Sequence, residues 1–366
     1  MDLLRCCTPN DQQNFQKEKD GYRCVICGKF YPFLQIKHGD ELIDPKKFSK
    51  PKGKTLKYKK SAVAFLGDHY YAQSKNTLVK LEIDGHGQAQ QSDMTPIMSG
   101  VYHIALSPDE KYAMTETFGG TLAVVDLCKK EIVAQKRKHS VNGAFIFTNE
   151  QSVLYFYDNA IRCWSFLPNT EAALWSIPPD WVTNEAEDMR YNAVCTNVIY
   201  NPDQQSYLFQ LSIADSSYIV AIHHMQIAWQ KRFNRIPTHS KLIYSHGINQ
   251  YTLSKSNKVT IYDGELHPIR SFLSPSLLFI SDGGGVFPIT KLKPLCPDRV
   301  YVSGDGKWIL LNFFTSVIVM RALDLKIQFC LFSYTGKAVQ KMGFTDDSHF
   351  WYTWGDTTYI QEIVEE

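Results

Sequence analysis

The residues best suited to chemistry lie near the start of the chain, in GYRCVICGKFYPF at positions 21–33. Cys24 and Cys27 stand two residues apart and are followed by Gly28. A Cys-x2-Cys-Gly turn presents two thiolates together with backbone N–H groups, which suits tetrahedral zinc. Zinc takes four ligands, so this is half a site. Cys6 or Cys7 together with His38 completes it as a Cys3His set, because the adjacent pair Cys6–Cys7 is sterically poor as a chelate. Two other readings compete. A redox pair requires the Cys-x2-Cys at the start of a helix in a βαβ unit, whereas KFYPFLQIKHGDEL is aromatic and strand-like. The remaining reading is a pair of ordinary thiols buried under a cap. With zinc or without it, the expected role is in folding, since a segment below about 40 residues rarely holds together without a metal or disulfide.

A second chemistry is local positive charge. Lys46, Lys47, Lys50, Lys52 and Lys54 open a run of eight lysines that ends at Lys60 and contains no acid, with Phe48 and Tyr58 interleaved. Such a run neutralises phosphates and releases counterions, which makes nucleic acid an alternative partner. A solvated linker is the plainer explanation. Residues 1–60 carry a balance of +7 and the rest of the chain −5, so the overall +2 hides a basic arm on a mildly acidic body.

Further along, Glu185, Glu187 and Asp188 cluster in NEAEDMR, suited to a basic partner or simply solvated. SDGGGVF is glycine-rich but lacks the Gly-Lys-Ser/Thr ending of a phosphate loop. Strand alternation at His223–His224 sends the two rings to opposite faces, against joint chelation. No G-x-S-x-G, H-E-x-x-H or kinase set is present, so no catalytic residue is assigned. A hydrolase or lyase site assembled from several repeats around a channel leaves no local motif and stays open as an alternative. Trp175, Trp181, Trp351 and Trp354 suit either a protein interface or the packing between repeats.

These residues sit on a chain whose 13% aromatic content favours strands. No stretch approaches the roughly 18–20 apolar residues of a membrane helix, and MDLLRCCTPNDQQNF lacks the apolar segment of a signal peptide. Nine irregularly spaced cysteines then read as reduced thiols, and the expected location is cytoplasmic.

From residue 61 onward the pattern is of short alternating runs broken by turns. Residues 100–137 hold four strands: VYHIALS, YAMTETF, TLAVVDL and EIVAQKR. The same four beats fit 61–91, 143–177, 193–233, 241–273 and 299–332, and 339–365 has room for three strands. KTLKYKK (54–60) alternates correctly and is expected to supply the missing outer strand, because an unpaired edge is a liability. Two stretches interrupt the repeat, 178–192 and 274–298.

SPDEKY (107–112), NPDQQSY (201–207) and SGDGKW (303–308) resemble the turn between the first two strands of WD40-like and YVTN-type seven-bladed propellers. AVVDL (123–127), TIYDG (260–264) and RALDL (321–325) are similar to the third-strand ending that carries the Trp-Asp dipeptide there. The regular Gly-His…Trp-Asp pairing is absent, although His139-Ser140 and His239-Ser240 stand at comparable places. The first forty residues resemble a short zinc ribbon or treble-clef knuckle. The resemblance implies an all-β protein. Its expected parts are a zinc-knuckle-like extension (1–45), a basic linker with the closing strand (46–60) and a seven-bladed β-propeller (61–366). It also implies a non-enzymatic protein-interaction scaffold docking a protein partner on its loops. Trp181, Glu185, Glu187, Asp188, Asp282 and Lys291, in and beside the two insertions, are the candidate contacts.

Overall fold

The computed structural model describes residues 15–18, 21–32, 34–48, 51–84, 86–137, 141–148, 151–181, 193–213, 216–234, 236–237, 240–279, 295–332 and 338–365. Among them are seven four-stranded antiparallel sheets, six of them meanders in chain order. Sheets 1 to 6 span 62–96, 101–136, 145–176, 194–234, 243–273 and 299–332. Sheet 7 takes three strands from 339–362 and its fourth, Thr55–Lys59, from the other end of the chain, paired antiparallel with Thr357–Glu362. The first strands of sheets 1 to 6 lie side by side in order. Lys341 of sheet 7 donates to the Val63 carbonyl of sheet 1 at 2.6 Å, which links the last sheet to the first.

The turn signals have a plain local cause. Ser107 donates to Asp109 Oδ1 (2.7 Å), that oxygen accepts the Lys111 N–H, and Ser107 Oγ accepts the Tyr112 N–H (2.9 Å). Ser303, Asp305, Lys307 and Trp308 repeat the network at 2.6, 3.0 and 3.0 Å. The third-strand aspartates cap the next turn: Asp126 accepts from Cys128 and Lys129, Asp263 from Glu265 and His267, and Asp324 from Lys326. Asx and Ser turns satisfy backbone donors that a tight hairpin leaves unpaired.

Apolar side chains of neighbouring sheets interlock between them. Met114, Val124, Tyr155 and Trp164 join sheets 2 and 3, and Leu154, Ile161, Phe209 and Val220 join sheets 3 and 4. Polar clamps from second strands tie several sheets to the next. Gln73 Nε2 donates to the Val101 carbonyl at 2.9 Å. Glu116, fully buried, accepts the N–H groups of Val141 (2.7 Å), Asn142 (3.0 Å) and Gly143 (2.7 Å), with His103 Nδ1 at 3.3 Å. Burial pushes the Glu116 carboxyl up, but the bonds from His103, Gly143 and Val141 outweigh it and hold the group below its ordinary value. Gln210 does the matching job in sheet 4, donating to the Ser240 carbonyl and accepting the Leu242 N–H, each at 2.9 Å. Both clamps stand opposite the residue that follows a one-residue irregularity in the inner strand.

The segment before the ring divides in two. Phe15–Glu18, Gly21–Cys24 and Phe30–Pro32 make one three-stranded sheet. Leu34–His38 and Glu41–Ile43 make another with Ser276–Phe279, a strand from the stretch between sheets 5 and 6. Leu34, Ile36 and Leu277 pack with Val259, Leu311 and Ile318 of those sheets. Residues 34–48, grouped by sequence mainly with the extension, are therefore part of the body's packing.

Candidate functional site at the channel mouth

In a four-stranded meander the inter-sheet connections share one face with the turns between second and third strands. Three hydrogen bonds mark this face: Ile97 N–H to Asn76 O (2.8 Å), Ile177 to Asn159 (3.0 Å) and Ser274 to Asn257 (2.7 Å). The Ser-Asp and Asx turns described above lie on the opposite face.

The connection face carries exposed aromatics. Phe118, in the second turn of sheet 2, is 82% exposed and stacks on Tyr102 with ring centroids 4.5 Å apart. Phe314, in the equivalent turn of sheet 6, is 63% exposed. Each turn is tied to the adjoining connection by a backbone bond, Phe118 N–H to Gly100 O and Val339 N–H to Phe314 O. The backbone there is fixed while the rings face solvent, an arrangement suited to anchoring a partner.

Inside this rim, the entries of three successive inner strands each bring a cation. Lys241 precedes Ile243–Ser245, Arg299 opens Arg299–Val302, and Lys341 lies in Val339–Phe344. The Lys241 N–H bonds the Asp298 carbonyl (3.0 Å), and Arg299 Nη1 donates to the Gln340 carbonyl (3.3 Å), which sets the three side by side. Lys241 Nζ donates to the Thr196 carbonyl of sheet 4, and Lys341 Nζ to Val63 of sheet 1. Burial, and then the Arg299 charge, lower both ammonium groups, Lys341 to about 8. Arg299 Nε is buried with no hydrogen-bond partner. None of the three was singled out from sequence. The available signal was a cation at or near the start of KLIYS, RVYVS and VQKMG, visible only once the repeats are aligned.

The sequence candidates fall elsewhere. Cys24 is buried and Cys27 exposed, in a turn closed by Gly28 N–H to Cys24 O and Cys24 N–H to Lys29 O, both 2.9 Å. His38 belongs to the other small sheet. Among the described residues no three His, Cys, Asp or Glu side chains gather as a metal cluster. Cys6 and Cys7 lie outside the described residues, as do Glu185, Glu187, Asp188, Asp282, Lys291 and Lys50. Trp181 is half-buried, stacked on Tyr218 at 3.8 Å and packed near Trp175. Lys46 and Lys47 sit in a 3-10 turn, Pro45–Phe48, and Lys52 and Lys54 are exposed before the closing strand. The expectation for His223–His224 is corrected: the rings are 4.0 Å apart, because His224 lies in a left-handed turn (φ 47°) where strand alternation no longer applies. No helix among the described residues is long and apolar enough to cross a membrane.

No protein-family model matches the chain, and no curated protein matches it significantly. Solved structures do. The β-propeller domain of Cps50 (Swd1) from Myceliophteria thermophila is 10% identical with a TM-score of 0.57, covering 85% of this chain and 100% of that one. The C-terminal WD40 domain of Sif2 is 9% identical with a TM-score of 0.53, covering 82% and 79%. At such identities the likeness is one of fold, and the fold is a WD40-type β-propeller.

Proposed function

We propose that the seven sheets are seven blades and that the protein is a non-enzymatic scaffold docking a protein partner on its connection face. The observation that carries this reading is the pair of exposed aromatics, Phe118 and Phe314, held on braced turns around the channel mouth. Trp181, Glu185, Glu187, Asp188, Asp282 and Lys291 are the further candidate contacts of that partner, all but Trp181 outside the described residues. A photo-crosslinking side chain placed at 118 captures a discrete partner, whereas one at Leu323, 88% exposed on the opposite face, does not. Phe118→Ser with Phe314→Ser abolishes that capture. Equal capture from both faces, or capture indifferent to the double substitution, overturns the reading.

Zinc at Cys24 and Cys27 belongs to the same proposal as a folding device. What supports it is the tight Cys24–Gly28 turn at a hairpin tip; Cys6, Cys7 and His38 are the candidates to complete the set. Metal content of the purified protein tests it: about one zinc per chain in the wild type, lost in Cys24→Ser. A content near zero in both removes zinc.

A further inference from the structure

Among the described residues, the cations of the channel mouth exceed what their neighbours neutralise. Asp298 is, among the described residues, the carboxylate in electrostatic reach of Lys241, and the nearby Cys195 thiol is pushed up to about 12 by burial. Tyr301, beside Arg299, is held neutral, its hydroxyl pushed up by burial. Among the described residues three cations stand against one carboxylate, an excess charge of two in a half-buried setting. The donors are also in surplus. An ammonium has three N–H groups and a guanidinium five. Lys241 Nζ and Lys341 Nζ each donate to a backbone carbonyl, and Arg299 Nε is buried with no hydrogen-bond partner.

We propose that Lys241, Arg299 and Lys341 form a binding site for a phosphate dianion, as the free ion or as a phosphomonoester. The dianion matches the excess charge, with Arg299 as its central donor and the two ammonium groups turning from the Thr196 and Val63 carbonyls to reach it. A carboxylate offers one charge and two oxygens and leaves the group half-compensated. The site stands independently of the docking proposal. It deepens that reading where the phosphate is carried by a docked chain.

The test uses the full chain and titration calorimetry with inorganic phosphate, a phosphoserine peptide of otherwise neutral sequence, and the same peptide unphosphorylated. The two phosphorylated probes bind and the unphosphorylated peptide does not. Tighter binding of the phosphopeptide identifies a protein-borne group, and equal binding a free ion. Arg299→Gln and Lys341→Gln each weaken binding ~10-fold or more, the scale of one charge-assisted contact. A second readout needs no variant. Lys341, lowered to about 8, is half neutral near pH 8, and a dianion restores its proton. Titrations at pH 8 in two buffers of different ionisation enthalpy therefore show uptake of up to about half a proton per phosphate bound. No binding of either phosphorylated probe, or binding without proton uptake and unmoved by both substitutions, overturns the site.

Discussion

Replacing Glu116 with Gln changes one atom of a buried side chain and removes a charge, and the structure sets the cost. One carboxylate oxygen accepts from Val141 and Asn142, and the other from Gly143, with His103 beside it. The loop presents three donors and no acceptor, so the amide –NH2 of Gln must face an N–H. The lost charge-assisted bonds and a stranded donor together cost about 3–5 kcal/mol at pH 7. Gln210 shows that an amide suits this place only when the loop offers a carbonyl as well, as Ser240 does. The acid side supplies an independent check. Glu116 is held below its ordinary value in the fold, so its contribution is complete above the unfolded-state value, about 4.3, and fades as pH falls through the folded-state value. Urea unfolding of wild type and Glu116→Gln from pH 7 down to pH 3.5 shows a gap that narrows on the acid side. A gap below about 1 kcal/mol at pH 7, or one that stays constant with pH, refutes the clamp.

Three other expectations follow from the packing. Trp164→Ala empties a fully buried site where the indole bonds Asn169 at 3.0 Å and costs about 3–5 kcal/mol in chemical unfolding. Gly53→Ala drives a Cβ into the Glu362 backbone, so amide exchange across Thr55–Lys59 quickens by about tenfold or more while sheets 2 and 3 are unaffected. Ser107→Ala and Ser303→Ala each remove one turn network, cost about 1 kcal/mol, and add in the double variant because the two turns share no partner.

What the sequence made legible was local. SPDEK and SGDGK announce their turns because Ser, Asp and the following N–H groups lie within five residues and bond one another. The aspartates of AVVDL, TIYDG and RALDL are legible for the same reason. The alternation of KTLKYKK also suited an outer strand. Glu116 is different: alone it looks like a misplaced acid in a strand, and its meaning comes from Val141–Gly143 in the next blade. Lys241, Arg299 and Lys341 are about 40–60 residues apart, and each resembles an ordinary surface cation until the ring brings three strand entries together. His38 drew notice for its type near a Cys pair, but Leu34–His38 pairs instead with Ser276–Phe279, a partner some 240 residues away that no spacing rule anticipates.

That long-range pairing has a temporal side. Leu34–His38 has its second strand partner at Ser276–Phe279, and Thr55–Lys59 has its own only at Thr357–Glu362. On a ribosome adding about 5–20 residues per second, Thr55–Lys59 waits on the order of 15–60 s for the strand it will join. Until then its row of backbone donors and acceptors is open to any other strand in reach. The lysines along it, each repelling another copy of itself, guard the nascent chain during that interval.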